Sequence, residues 1–192
     1  NTTASNNTAV GQAALSANTT GTNNTAIGKQ AGESQTTANA CTWFGVEAGR
    51  NNTVNDNVGI GSGCMRLNTS GTRNTAVGTG VYGSTHGALS ANTTGTRNTA
   101  IGNQALLNNT TANNNTAIGA ETLVQNTTGQ NNVAVGTFSL DANTTGENNT
   151  AVGYNAASAI TTGGANTAIG RQALLACTTG NLNLAVGYNT MY

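Results

Sequence analysis

Charge is nearly missing from this 192-residue chain, which has six basic and six acidic residues and a formal net charge of zero. With no basic run or patch, the sequence lacks the electrostatic footprint of a nucleic-acid binder or of a protein that docks on an anionic membrane. Proline is absent and aromatics make up 4%. Disordered chains usually join low hydrophobicity to high charge or many prolines; here both are wanting, and Val, Ile and Leu recur in register. No apolar run is long enough to span a bilayer and no signal peptide is visible, so membrane insertion is not expected. The chain opens at Asn1 without a methionine, as a processed chain or an excerpt would.

Chemistry-bearing residues are equally sparse. Cys41, Cys64 and Cys177 are odd in number, irregularly spaced and without a CxxC pair, which argues against a disulfide framework or a zinc site. They read as small buried or half-buried stand-ins for Asn and Ala. The single histidine is His86. Glu33, Glu47, Asp56, Glu121, Asp141 and Glu147 are scattered, so no carboxylate pair is implied, and Ser84 beside His86 does not make a triad. The recurrent Asp of calcium-binding nonapeptides is missing, and the glycines do not form a phosphate loop. Neither catalysis, nor a cofactor, nor a metal is expected.

What the chain has instead is a repeat. Gly11, Gly28, Gly45, Gly61, Gly78, Gly102, Gly119, Gly136, Gly153, Gly170 and Gly187 each close a short phrase, usually Asn-Thr-Ala-Val/Ile-Gly. Eight of the ten intervals are 17 residues; Gly45 to Gly61 is 16 and Gly78 to Gly102 is 24. With that glycine as position zero, position −1 is always large and apolar: Val10, Ile27, Phe44, Ile60, Val77, Ile101, Ile118, Val135, Val152, Ile169 and Val186. Position −2 is Ala except for Trp43 and Gly59, −3 is mostly Thr, and −4 is Asn except for Cys41. Position +4 is mostly Leu or Met, weakening to Gly32, Gly49 and Ala157, while +8 is Thr throughout and +10 is often Gly.

A strict period of this length predicts a solenoid, here an all-β parallel roll of about eleven coils, each with two short strands between glycine-bearing turns. Helical repeats do not fit a chain dominated by Gly, Asn and Thr. Thr gives way to Val58, Val133 and Leu184 at −3, which suggests that −3 and −1 point inward and that Ala and Asn face the other way. The expected structural ladder is then the −1 column, with Asn amides bonding from coil to coil. Ala26, Ala76, Ala100, Ala117, Ala134 and Ala151 would suit an interface between rolls, or equally a smooth exposed face. The whole chain reads as one domain, 1–192, with a seven-residue insertion at 81–87 that restores the period when removed. Asn-x-Ser/Thr triplets at Asn18, Asn68, Asn92, Asn109, Asn126 and Asn143 all fall at +7, where an outward row would make them candidate N-glycosylation sites.

The phrase Asn-Asn-Thr-Ala-Ile-Gly at 23–28, with its copies at 114–119 and 148–153, resembles the head repeats of YadA-like trimeric autotransporter adhesins. The longer unit, as at Asn98–Leu106, is similar to tandem repeats of phage tail-fibre and bacterial surface-fibre proteins. The resemblance implies a left-handed parallel β-roll, commonly trimeric, on a cell or virion surface or outside the cell. The leading functional expectation is a structural fibre subunit or segment whose partners are copies of itself. The phases of Asn1 and Tyr192 would also permit head-to-tail stacking. An adhesin module, displaying Tyr82–His86 to a host surface or glycan, is the alternative. Ice binding through an outward array such as Asn18/Thr20 and Asn126/Thr128 is a third expectation.

Overall fold

A computed structural model describes residues 3–80 and 86–191. Most of the insertion expected at 81–87, Tyr82 included, lies outside the described residues, as do Asn1 and Tyr192. The chain is an all-β parallel solenoid. Its eleven strands are β1 (Thr8–Val10), β2 (Thr25–Ile27), β3 (Thr42–Phe44), β4 (Val58–Ile60), β5 (Thr75–Val77), β6 (Thr99–Ile101), β7 (Thr116–Ile118), β8 (Val133–Val135), β9 (Thr150–Val152), β10 (Thr167–Ile169) and β11 (Leu184–Val186). They form a single parallel sheet in chain order. With a spacing of about 4.8 Å between neighbours, ten steps give a rod of roughly 48 Å. Among the described residues no helix is long and apolar enough to cross a membrane.

Register survives both irregular intervals. Across the 16-residue step Thr42 pairs with Val58, and across the 24-residue step Thr75 pairs with Thr99. The shortened coil loses its residue at the +10 corner, and the accommodation is local. Asn52 Nδ2 donates to the Val54 carbonyl at 2.6 Å, and Cys41 Sγ lies 3.3 Å from that same oxygen. Elsewhere an Asn stands where Cys41 does and donates to the +10 carbonyl. The missing corner glycine and the missing asparagine are therefore one local change.

Each coil contributes one strand, not the two expected. The far side, from +1 to +7, is a run of turns held by the same coil-to-coil logic: Leu106 N–H donates to the Thr122 carbonyl at 3.0 Å and Leu123 N–H to Ser139 at 3.1 Å. Its backbone departs from a strand because +2 and +4 adopt left-handed φ, 54° at Gln104 and 52° at Leu106. A left-handed non-glycine residue costs about 1–2 kcal/mol. Where +4 is Leu, its burial and an inter-coil hydrogen bond for its N–H offset that cost.

The alternation across the strand is as expected, but the faces are reversed. Ala26, Ala76, Ala100, Ala117, Ala134 and Ala151 are fully buried, which removes them as an interface between rolls. The −1 column pairs in register from strand to strand, but it lies on the outer face, from Val186 at 59% exposed to half-buried Ile27, Val77 and Val135. The reason is room. Each coil closes over a narrow interior that already holds a Leu at +4, an Ala at +3 and two asparagines, so only a methyl fits opposite them.

Candidate functional site

Two asparagine ladders occupy most of the interior, interrupted at Cys41 in one and at Gln35, Ile160 and Cys177 in the other, and they bind coil to coil more specifically than apolar packing could. In the first, at −4, the side chain serves two neighbours. Asn132 Oδ1 accepts from Asn149 N–H at 2.9 Å, and its Nδ2 donates to the Gly146 carbonyl at 2.8 Å. The pattern repeats at Asn98, Asn115 and Asn149. Buried amides in a low-dielectric interior must be paired, and here each rung except that of Cys41 supplies the partner for the next.

The second ladder is the +7 column. Asn92 Nδ2 donates to Asn68 Oδ1 at 2.8 Å, Asn109 to Asn92 at 2.9 Å, Asn126 to Asn109 at 3.1 Å and Asn143 to Asn126 at 2.9 Å. The same Nδ2 atoms also donate to the +10 carbonyl of their own coil, as Asn92 does to Gly95 at 3.0 Å. Asn18, Asn68, Asn92, Asn109, Asn126 and Asn143 are all buried, so the expected outward row of glycosylation sites is corrected. The Asn half of the proposed ice-binding array disappears with it. The adjacent +8 threonines do face outward and lock the corner, with Thr127 Oγ1 donating to the Thr144 carbonyl at 3.1 Å and Thr144 to Thr161 at 3.0 Å.

Where the Ala column fails, its neighbours compensate. Trp43 is fully buried, and its Nε1 donates to Gln35 Oε1 at 2.9 Å. A Cβ on Gly32, Gly49 or Gly59 would come within 2.8, 2.3 and 2.8 Å of the indole. Three exceptions noted separately in the sequence are thus one substitution spread over adjacent coils. A tryptophan replaces alanine, and the Leu and Ala positions around it are emptied to admit it.

The surface carries modest clusters. Glu33, Glu47, Arg50 and Arg66 interlock along one corner, Arg50 Nε to Glu33 at 2.7 Å and Arg66 Nε to Glu47 at 2.6 Å. The Arg50 hydrogen bond, helped by Gln30, lowers the Glu33 pKa. Further along, Arg171 lies over the rings of Tyr154 and Tyr188, at 5.7 and 5.4 Å from their centroids. Cys41 and Cys64 are buried free thiols, each pushed up to about 11 by desolvation, and Cys177 is half-buried. They replace Asn, Ala and Asn in their columns, and a buried thiol held protonated is a poor nucleophile. Among the described residues no group of three or more His, Cys, Asp and Glu could hold a metal ion.

The most extensive feature left for interaction is the outer sheet face. Every strand presents its −3 and −1 residues there, mostly Thr and a β-branched apolar residue, in one register along the rod. Phe44, Ile60, Ile101, Ile118, Val152 and Ile169 are exposed in it. Compared with models of protein families, with curated proteins and with solved structures, the chain matches none of them.

Proposed function

We propose that this chain is a structural rod, a subunit or segment of an extracellular or surface fibre that associates with copies of itself. The observation that carries the reading is the uniformity of the ladders: nearly every rung makes the same bonds to the next. Such an arrangement builds length and stiffness, because each coil is completed only by its neighbours. Side-by-side association is assigned to the outer Thr and Val/Ile face in place of the alanine column. Eleven rungs of three residues offer about 500 Å² per rod, or about 1,000 Å² for a pair, the lower bound for a specific interface. Isolated exposed apolar residues are ordinary on protein surfaces, but a contiguous in-register stripe marks a contact surface.

Sedimentation and electron microscopy of the purified chain test this. Laterally associated rods are expected, and Ile101→Lys with Ile118→Lys should separate them without touching the core. Single rods at high concentration would reject lateral assembly. A second reading uses the same face: a flat, regular array of hydroxyls and methyls is suited to ordering water as ice does. Thermal hysteresis from single rods, abolished by the same lysines, would select ice binding instead.

A further inference from the structure

The Asn-x-Ser/Thr triplets fall in three columns, of which +6 holds only Asn51 and Asn108, both half-buried. Those at +7 are buried, whereas Asn6, Asn23, Asn114 and Asn148 stand at −5, on the exposed corner that leads into the strand. Each adopts a left-handed turn conformation with φ between 58° and 60°. Two residues on, Thr8, Thr25, Thr116 and Thr150 open the strands on the outer face. We propose that these corner asparagines are N-glycan acceptor sites, an inference that rests on the reading of the chain as a fibre element outside the cell.

The chemistry of the bond separates the two columns. An N-glycosidic link replaces one of the two Nδ2 hydrogens and needs open space beyond it. Asn92 spends both hydrogens inside the coil, on Asn68 and Gly95, so a glycan there would cut the ladder and have nowhere to go. Asn114 spends one, on Asn131 Oδ1 at 3.2 Å, and is exposed. Asn148 is exposed and its side chain makes no hydrogen bond to any described residue. Asn6 donates to Asn23 at 3.3 Å across one rung, about 4.8 Å, so this pair has room for a single glycan. The coil of β8 supplies an internal control. Asn131 occupies the same exposed corner with φ 59°, but Val133 stands where the threonine would complete the triplet.

The test is secretion of the full chain, behind a cleavable leader, from a eukaryotic host. The protease-resistant fraction is then deglycosylated in heavy-oxygen water, and the Asn-to-Asp conversions are mapped by mass spectrometry. Conversion is expected at Asn114, at Asn148 and at one of Asn6 and Asn23, and not at Asn18, Asn68, Asn92, Asn109, Asn126 or Asn143. Val133→Thr combined with Thr116→Val and Thr150→Val, which leave the flanking corners bare, should bring conversion at Asn131. Thr116→Val should remove it at Asn114 with the rod intact, since Val58 and Val133 already occupy that column. Bare Asn114 and Asn148, a bare Asn131 in the triple variant, or occupied +7 asparagines in folded material would each overturn the assignment. Because the leader delivers the chain to the glycosylating compartment, these outcomes report acceptor geometry alone. The fibre reading stands or falls separately on the microscopy.

Discussion

Asp141 is a carboxylate that its coil does not satisfy. Its Oδ1 is buried without a hydrogen-bond partner among the described residues. Burial raises its pKa above the ordinary carboxylate value, and the charge of Glu121 adds to the rise against two backbone N–H groups. A raised acid pKa means that the folded chain holds this proton more tightly than the unfolded one. Stability therefore falls as pH rises from the ordinary carboxylate range through the raised value, and the penalty is complete at neutral pH. Asp141→Asn should raise the denaturation midpoint at pH 7, and the advantage should vanish as pH drops below the ordinary carboxylate range. Equal midpoints at every pH would show that the carboxylate is effectively solvated. Such single-residue environments were the least legible part of the sequence. The alternation of faces could be read, but which face was inner could not. Val58 and Val133 in a threonine column look like core replacements, yet both a half-exposed Thr and a half-exposed Val suit the outside of a sheet. The better signal was the alanine column itself, where the one large intruder, Trp43, is matched by the loss of side chains at Gly32, Gly49 and Gly59.

Compensation of that kind operates between positions within a coil as well. The coil after β9 has Ala157 at +4 and Ile160 at +7, where most coils have Leu and Asn, and both residues are fully enclosed. Volume has moved from one position to the other. The exchange has a polar consequence, because Ile160 cannot donate to the rung before it and Asn143 Oδ1 is left buried and unpaired. An unsatisfied buried acceptor costs about 1–3 kcal/mol. Ile160→Asn alone would repair the ladder but leave a void beside Ala157, and Ala157→Leu alone would overfill the coil at about 1–3 kcal/mol. Each single change should destabilise. The pair should be close to neutral or stabilising, with a coupling of roughly 1–3 kcal/mol, within the range found for contacting residues. Additive effects in a double-mutant cycle would mean that the two positions do not share one space. The repeat made both departures visible as exceptions. Their link was not visible, because it depends on +4 and +7 entering the same interior from the turn side of the coil.

For the molecule as a whole, the period was the readable part and the conformation of the far side was not. Left-handed Leu at +4 runs against residue preference, so a two-stranded coil was the natural expectation. What overrides preference is the identity of neighbouring rungs, since a turn conformation costly in one coil is bonded identically in the next. This makes the rod modular in a way that can be measured. Removing residues 120–136 joins Gly119 to Thr137 and places Leu140 above Leu106 and Asn143 above Asn109, with both columns preserved. The shortened chain should fold, keep its cross-section and lose about 4.8 Å of length in solution scattering. Its stability should fall by roughly one of about ten coil interfaces. Removing residues 120–137 deletes one residue more, at a place where no corner absorbs it. Leu140 and Asn143 then sit one position out of their columns, and a one-residue slip sends inward side chains outward. That variant should lose cooperative unfolding and protease resistance over the coils that follow. If the two deletions behave alike, coil-to-coil register is not what holds the rod together.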